Sequence, residues 1–382
     1  MREKQKGKGS MSISARTKGS EFMEWAKTRS QARFNLATSG LSSVPLADFP
    51  VRLEELEITS AGGYGFEPLQ QRIARHTGVP EECVVAATGT SMANHLAMAA
   101  VLTKGDEVLI EQPAYAPLLD VADYLGARLK RISRKFETGF AIEPAEIERV
   151  ITPETRLIVL SNLHNPSGAL IPAETLHAIG EMAQSAGAHV LVDEVYLEML
   201  FDCSAPFSFS IGRALSRGDD NPFIVTNSLT KVYGLSGLRC GWVLASPGLA
   251  RRMWHLNDLF GVNAAHAAER MSVIAFDHLE RFRDRARTLL RTNRALLDSF
   301  LDSRGDLEAF LPLAGTVAFP RLTDGDPEIF LELLREKYDT SVVPGEFFEM
   351  PRHFRIGIGG DTAELRAGLE RLSAALDDFA AE

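Results

Sequence analysis

The feature that most constrains the fold is a regular alternation of short apolar segments with helical segments, beginning near residue 83. Several apolar segments have no polar face, which is typical of strands buried on both sides of a sheet. Helical patterns such as Met92–Leu102 and Ala173–Ala186 separate these segments. The predicted strands are Cys83–Thr88, Glu107–Glu111, Arg128–Ser133, Leu157–Leu163, His189–Val195, Phe223–Ser228 and Leu238–Ala245. The alternation predicts an α/β fold with a mostly parallel, doubly wound seven-stranded sheet and helices on both faces.

The remaining segments predict a second, smaller unit. A long helix-prone stretch, Ala264–Phe300, precedes mixed strands and helices that end in the amphipathic segment Thr362–Phe379. We therefore expect an arm over residues 23–58, a large domain over 59–275 and a smaller α+β domain over 276–382. Residues 1–22 are basic and rich in Gly and Ser, with no apolar segment. We expect them to form a disordered extension, either native or left over from cloning.

Composition excludes several classes of protein. The net charge of −10 argues against a general binder of nucleic acids or acidic membranes. No apolar run approaches the ~18 residues of a membrane span. The three cysteines, Cys83, Cys203 and Cys240, are widely spaced and suggest neither a disulfide framework nor a zinc site. We expect a cytoplasmic protein without a bound metal.

Lys231 lies in the most distinctive motif, which runs from Asn227 to Trp242. Ser228 precedes the lysine by three residues and Arg239 follows it by eight, so both can converge on one anion. A lysine amine can form an imine with an aldehyde. Pyridoxal 5′-phosphate (PLP) is an aldehyde that carries a phosphate, so it matches both the lysine and the anion site. A solvated lysine in a surface loop is the alternative, but it does not explain the flanking Ser, Gly and Arg.

Polar residues also follow the ends of the predicted strands, where ligands gather in open α/β sheets. Thr90 and Ser91 begin a helix and could bind a phosphate, whereas Tyr115 could stack on a planar ring. Asn165 lies in an Asn-Pro-Ser-Gly turn, and Asp193 ends an apolar run where a protonated pyridine nitrogen could neutralise it. Each residue taken alone also fits an ordinary role: a helix cap, a core aromatic, a turn or a capping carboxylate.

In this order and with these separations, the motifs resemble those of the fold type I PLP-dependent aminotransferases, class I/II, from about Asn35 to the C-terminus. The resemblance implies that Lys231 bonds to the cofactor and moves a proton, and that Asp193 pairs with the pyridine nitrogen. It assigns further roles as follows: Tyr196 and Asn165 bind the ring hydroxyl, Tyr115 stacks on the ring, Thr90, Ser91, Ser228 and Arg239 bind the phosphate, Arg355 grips the substrate carboxylate, and Gly40 lies against the substrate.

Two positions depart from the family pattern. Ser60 stands where the family usually has a tyrosine that reaches the neighbouring subunit's phosphate, and Tyr64 directly precedes Gly65 instead. The segment Asp258–Ala268 contains no arginine of the kind that dicarboxylate-specific relatives often carry. The second departure lowers the expectation that aspartate is the substrate.

The resemblance implies a homodimeric transaminase that moves an amino group from an L-amino acid to a 2-oxo acid, with 2-oxoglutarate expected as the acceptor. A PLP-dependent carbon–sulfur β-lyase or decarboxylase would use the same residues, so these activities stay open. An effector-binding domain of a PLP-sensing regulator is the non-enzyme alternative. Such a protein needs a DNA-binding module ahead of this domain, and the short basic segment has no room for one.

Overall fold

The structure, a computed structural model, describes residues 19–60, 62–203, 205–215 and 220–381. Its central feature is a seven-stranded sheet at the positions that the apolar segments predict. In chain order the strands are β1 (Val84–Thr88), β2 (Glu107–Gln112), β3 (Arg128–Ser133), β4 (Thr155–Ser161), β5 (His189–Asp193), β6 (Phe223–Ser228) and β7 (Cys240–Leu244).

The strands lie in the order β1-β7-β6-β5-β4-β2-β3. All neighbours pair in parallel except β7, which is antiparallel to both β1 and β6. Six strands therefore end at one edge of the sheet, and β7 begins at that same edge. Polar residues that follow the six strands, or that precede β7, are brought to this edge.

Alternate residues of the strands pack against helices on opposite faces. Val108 and Ile110 contact the layer that contains helix Gly89–Val101, whereas Leu109 faces the layer that contains helix Ala173–Ala186. Strand residues in both layers are almost fully excluded from solvent. This two-sided burial explains why most of the strands lack a polar face in the sequence; β3, at the edge of the sheet, is largely exposed and keeps one.

The helices alternate with the strands through the large domain and then dominate the C-terminal part. Their bounds are Glu21–Thr28, Glu67–Thr77, Gly89–Val101, Ala116–Tyr124, Pro144–Val150, Ala173–Ala186, Ser208–Leu215, Pro247–Asn257, His266–Asp277, Leu279–Asp302, Pro327–Glu336 and Thr362–Phe379. The continuous helix-prone stretch Ala264–Phe300 is in fact two helices, because the chain leaves helical geometry at His278.

The C-terminal part is a small α+β unit. Short strands form three small sheets: Phe354–Gly357 lies between Val317–Ala318 and Val343–Pro344, Leu307–Glu308 pairs with Arg321–Leu322, and Phe34–Asn35 pairs with Thr340–Ser341. The last pairing ties the N-terminal arm to this unit. A Cβ at Gly357 would lie 2.0 Å from the Thr38 carbonyl oxygen, so only glycine lets the arm cross the strand this closely.

The N-terminal boundary differs from the sequence prediction. Residues 20–22, which we assigned to a disordered extension, belong to the fold: Ser20 caps helix Glu21–Thr28, and Phe22 is buried. Burying a phenylalanine side chain stabilises the folded state by roughly 2 kcal/mol. The composition of the preceding basic segment does not reveal that Phe22 is buried. Residues 1–18 lie outside the described part of the chain.

Candidate functional site

A cavity of about 330 Å³ opens at the edge of the sheet where six strands end and β7 begins. The structure brings ten of the eleven predicted site residues into its lining: Thr90, Ser91, Tyr115, Asn165, Asp193, Tyr196, Ser228, Lys231, Arg239 and Arg355. Gly40 is the remaining one, and a Cβ at this position would lie 3.9 Å from Lys231 Cδ.

Lys231 lies in the turn between β6 and β7, and its side chain is half-buried. Its Nζ donates a hydrogen bond to Ser39 Oγ at 2.9 Å and lies 5.9 Å from the centre of the Tyr196 ring. Ser39 belongs to the arm, so the arm fixes the direction of the amine. A primary amine held in a cavity beside a hydroxyl group is suited to bonding an aldehyde and to moving a proton.

Asp193 ends β5 and is buried at the bottom of the cavity. Its Oδ2 accepts from Asn94 Nδ2 at 2.9 Å, and its Oδ1 accepts from the Val195 N–H at 3.1 Å. Burial raises the pKa of Asp193 to about 6, although the hydrogen bonds from Asn94 and Val195 act in the opposite direction. A carboxylate in this environment is stabilised by a cation, and a protonated pyridine nitrogen is one.

Hydroxyl groups and one guanidinium line the side of the cavity next to β1 and β7. Thr90 and Ser91 lie in the first turn of helix Gly89–Val101, where backbone N–H groups lack helical partners. Thr90 Oγ1 is buried and has no hydrogen-bond partner among the described residues. Arg239 packs on Gly89, where a Cβ would come within 2.3 Å of Arg239 Nη2. These donors fit a phosphate group.

Arg355 reaches the cavity from the strand Phe354–Gly357 of the small unit. Its Nη1 donates to Asn165 Oδ1 and its Nη2 donates to the Ala37 carbonyl oxygen, both at 2.9 Å. Arg355 Nε has no hydrogen-bond partner in the described residues. Burial lowers the pKa of Arg355. An arginine so deeply buried is stabilised by an anion, and its planar donors match a carboxylate.

A buried network of hydrogen bonds and one ion pair holds the turn that contains Asn165. Glu111, at the end of β2, accepts from the N–H and the hydroxyl of Ser161 at 2.8 and 2.5 Å and pairs with Arg134 Nη1 at 2.7 Å. Ser161 Oγ in turn accepts from the Asn165 N–H at 3.2 Å. The network therefore connects a fully buried ion pair to the turn that contacts Arg355.

Other polar residues near the motifs lie outside the cavity. Glu194, next to Asp193, points away and accepts from the Ser208 N–H at 2.8 Å, and burial raises its pKa to about 8. His164 hydrogen-bonds to Ser167 Oγ, at 2.6 Å, within the turn. Tyr64 is exposed and bonds to Asp258 Oδ2 at 3.3 Å, so in this chain it contacts no residue of the cavity.

Three features of the cavity are absent from the sequence prediction. Asn94, which holds Asp193, stands four residues after Thr90 on the same helix face, and this spacing could have indicated it. Ser39 directly precedes Gly40, so the arm motif contained it. The place of helix Glu21–Thr28 in the lining, through Met23 and Trp25, had no signal beyond the apolar residues of the helix.

The donor set fits PLP in each of its parts. Lys231 can bond to the aldehyde, Asp193 is a buried acceptor for the ring nitrogen, and the side chain of Tyr115 lies across the same cavity. Thr90 Oγ1, which is orphaned, adds a hydroxyl donor beside Arg239 for the phosphate. Within the described ranges, no helix is both long and apolar enough to span a lipid bilayer.

Comparisons with known proteins agree with this geometry. Residues 58–372 match the family model described as aminotransferase class I and II. The chain is 29% identical to a capreomycidine synthase of Streptomyces vinaceus, over 94% of this chain and 93% of that protein. It is also 29% identical to an arginine–pyruvate transaminase of Pseudomonas aeruginosa, over 81% of this chain and 80% of the relative.

A crystal structure of a PLP-dependent aminotransferase from Streptococcus suis superposes with a TM-score of 0.86 at 26% identity, covering 94% of this chain and 97% of that one. The family match spans well over half of the chain. The chain belongs to the class I and II aminotransferases, which are PLP-dependent enzymes of fold type I.

Proposed function

We propose that the protein transfers the amino group of an L-amino acid to a 2-oxo acid, with Lys231, Asp193 and Arg355 as its central residues. The observation that carries this proposal is that an amine, a buried carboxylate and a buried guanidinium line one cavity. The three groups match a carbonyl, a ring nitrogen and a substrate carboxylate, which a transaminase must hold together.

Each residue acts on a stated atom. Arg355 binds the α-carboxylate of the substrate, and Asn165 and Ala37 hold the guanidinium in place. With PLP bound, Lys231 would take the proton from the α-carbon of the substrate and would donate it to the cofactor, acting first as a base and then as an acid. Asp193 keeps the ring nitrogen protonated. The cofactor, when bound, supplies the electron sink for this chemistry.

The half-reaction tests this proposal directly. Holoprotein mixed with an amino acid should lose the absorbance of the lysine-bound cofactor and release one equivalent of 2-oxo acid. Addition of a 2-oxo acid should restore the absorbance. Cofactor that stays bound and unchanged with every amino acid would contradict the proposed activity.

The acceptor has two candidates. The sequence leads us to expect 2-oxoglutarate, whereas pyruvate appears in the name of the Pseudomonas aeruginosa relative. Restoring the absorbance with each acid in turn, at equal concentration, decides between them.

A second activity has support in one of the comparisons. The Streptomyces vinaceus relative, similar over 94% of this chain, is named a synthase rather than a transaminase. The same residues could therefore serve another reaction at the α- or β-carbon. Release of pyruvate and ammonia from a cysteine conjugate, without any amino acceptor, would identify a lyase.

We also propose a homodimer and a cytoplasmic location. Large apolar side chains are exposed on two segments, with Leu53 and Ile58 on one and Leu259 and Phe260 on the other. Such surface residues are typical of an interface between subunits. Sedimentation analysis should give twice the chain mass of 41.9 kDa. The cytoplasmic location rests on the sequence, whose three widely spaced cysteines suggest no disulfide framework.

A further inference from the structure

The cavity has an apolar wall to which the roles above assign no function. Helix Glu21–Thr28 contributes Phe22, Met23, Trp25 and Ala26 to the lining. Phe22 is buried in the protein, but Met23 and Trp25 are only half-buried. Their side chains therefore keep apolar surface available at the cavity, where a ligand could cover it.

Aromatic contacts hold this helix across the cavity. The Phe22 ring packs edge-on against Tyr115 at 5.5 Å and against Phe347 at 5.6 Å. The neighbouring Phe348 lies 5.3 Å from the guanidinium of Arg355. Met23 Sδ accepts from the Tyr115 hydroxyl at 3.7 Å. The helix thus extends from the ring-stacking tyrosine to the surroundings of the carboxylate-binding arginine.

Arg355 and Lys231 together define where a substrate side chain must lie. A substrate whose carboxylate is at Arg355 and whose α-carbon is at Lys231 has its side chain between Tyr115 and the small unit. Met23 and Trp25 line that part of the cavity.

The charges of the lining disfavour an ionised side chain. Among the described lining residues the acidic or basic groups are Asp193, Lys231, Arg239 and Arg355, and each has a role in the proposed mechanism. Lys27 on the same helix is exposed and does not line the cavity. A side-chain carboxylate would be desolvated against Met23 and Trp25 without a cation, and a guanidinium would lack a carboxylate.

We propose that helix Glu21–Thr28 is the specificity wall of the site and that, through Met23 and Trp25, it selects substrates with apolar side chains. The inference rests on the proposed transaminase function. It favours leucine, methionine and phenylalanine as donors over aspartate, glutamate and arginine. It also favours pyruvate over 2-oxoglutarate as the acceptor.

The first experiment measures the wild-type holoprotein with a panel of amino acids. The second-order rate of the half-reaction should be at least about tenfold higher for leucine and phenylalanine than for aspartate, glutamate and arginine. Isocaproate and glutarate, which have no amino group, test binding without reaction. Isocaproate should perturb the cofactor absorbance at lower concentration than glutarate.

Variants of the wall test the assignment of residues. Met23→Ala should lower the rate with leucine about tenfold and leave the rate with alanine nearly unchanged, because a methyl group does not reach the wall. Met23→Arg should shift the preference toward glutamate. Lys27→Ala is the matched control, since it changes an exposed residue of the same helix, and it should leave the panel unchanged.

The outcomes separate the two proposals. Cofactor that borohydride cannot fix to Lys231 would overturn the transaminase function and this inference with it. A working half-reaction that is fastest with aspartate, glutamate or arginine would overturn only the specificity wall. Equal effects of Met23→Ala and Lys27→Ala on the panel would also overturn the specificity wall. If Met23→Ala does not fold, the wild-type panel alone tests the inference.

Discussion

Asn165 Oδ1 accepts a hydrogen bond from Arg355 Nη1 at 2.9 Å, across 190 residues of chain. Asn165 lies in the turn after β4 of the large sheet, and Arg355 lies on a strand of the small unit. One bond therefore connects the cofactor-binding edge to the residue that we expect to bind the substrate carboxylate. The position of the arginine depends on both units.

Arg355→Lys tests this arrangement. Lysine can offer a charge but cannot donate in parallel to Asn165, Ala37 and a carboxylate, so we expect KM for the amino acid to rise roughly 10- to 100-fold. The absorbance of the bound cofactor should be unchanged. Steady-state kinetics with Arg366→Lys, an exposed arginine, provide the control. An unaltered KM in Arg355→Lys would remove the carboxylate-binding role.

Asp193→Asn should act in opposite directions on stability and activity. Burial raises the pKa of Asp193 from its ordinary value of 3.8 to about 6, so the folded protein favours the protonated side chain. The contribution of this preference to the free energy of unfolding is fully present below pH 3.8 and is lost as the pH rises through 6. Asparagine does not ionise. The cofactor-free variant should therefore be more stable than wild type above pH 6, by up to about 3 kcal/mol.

The same change removes the carboxylate that we propose pairs with the ring nitrogen, and transamination should fall by several orders of magnitude while PLP still binds. Asn94 can rotate its amide to accept from the new side chain, because Thr226 Oγ1, its other partner at 2.6 Å, can donate or accept. Urea unfolding of the cofactor-free proteins at pH 5 and 8 measures the change in stability. Single-turnover kinetics measure the loss of transamination. Near-wild-type turnover would contradict the role of Asp193.

Gly89→Ala should weaken cofactor binding. Gly89 has φ +73°, and a Cβ would lie 2.3 Å from Arg239 Nη2, so the guanidinium must shift from the position in which we expect it to bind the phosphate. We expect the dissociation constant of PLP to rise at least about tenfold, as for loss of a hydrogen bond to a charged group. Gly187→Ala has a similar φ of +70° but no atom within 4 Å, and it controls for backbone strain. Equal PLP affinity in the two variants would exclude Arg239 as a phosphate ligand.

The sheet could be predicted from the sequence because most of its strands are buried on both faces; the exception is Arg128–Ser133, the last strand of the sheet, which is largely exposed. Arg128–Ser133 and Phe223–Ser228 have the predicted bounds, and most other strands differ by one or two residues. One of these differences has a local cause, because a turn competes with an apolar run. Leu238 was predicted as strand, but Ser236–Leu238 forms a 3-10 turn that places Arg239 at φ +50°.

Most of the predicted site residues share one cavity because they stand at the same edge of the mostly parallel sheet, whereas Arg355 reaches the cavity from a strand of the small unit. The parts that the sequence could not predict depend on contacts between distant segments. Ser39 accepts from Lys231 across 192 residues, and the helix at residues 21–28 is positioned by Tyr115 and Phe347. Local patterns determine which segments form strands, but they do not determine which distant side chains meet.

The most direct measurement is borohydride reduction of the holoprotein followed by mass mapping of its peptides. Reduction should fix one cofactor to Lys231, and Lys231→Ala should lose the absorbance, the fixed cofactor and the turnover together. Cofactor fixed to another lysine, or normal turnover in Lys231→Ala, would contradict the central role of this residue.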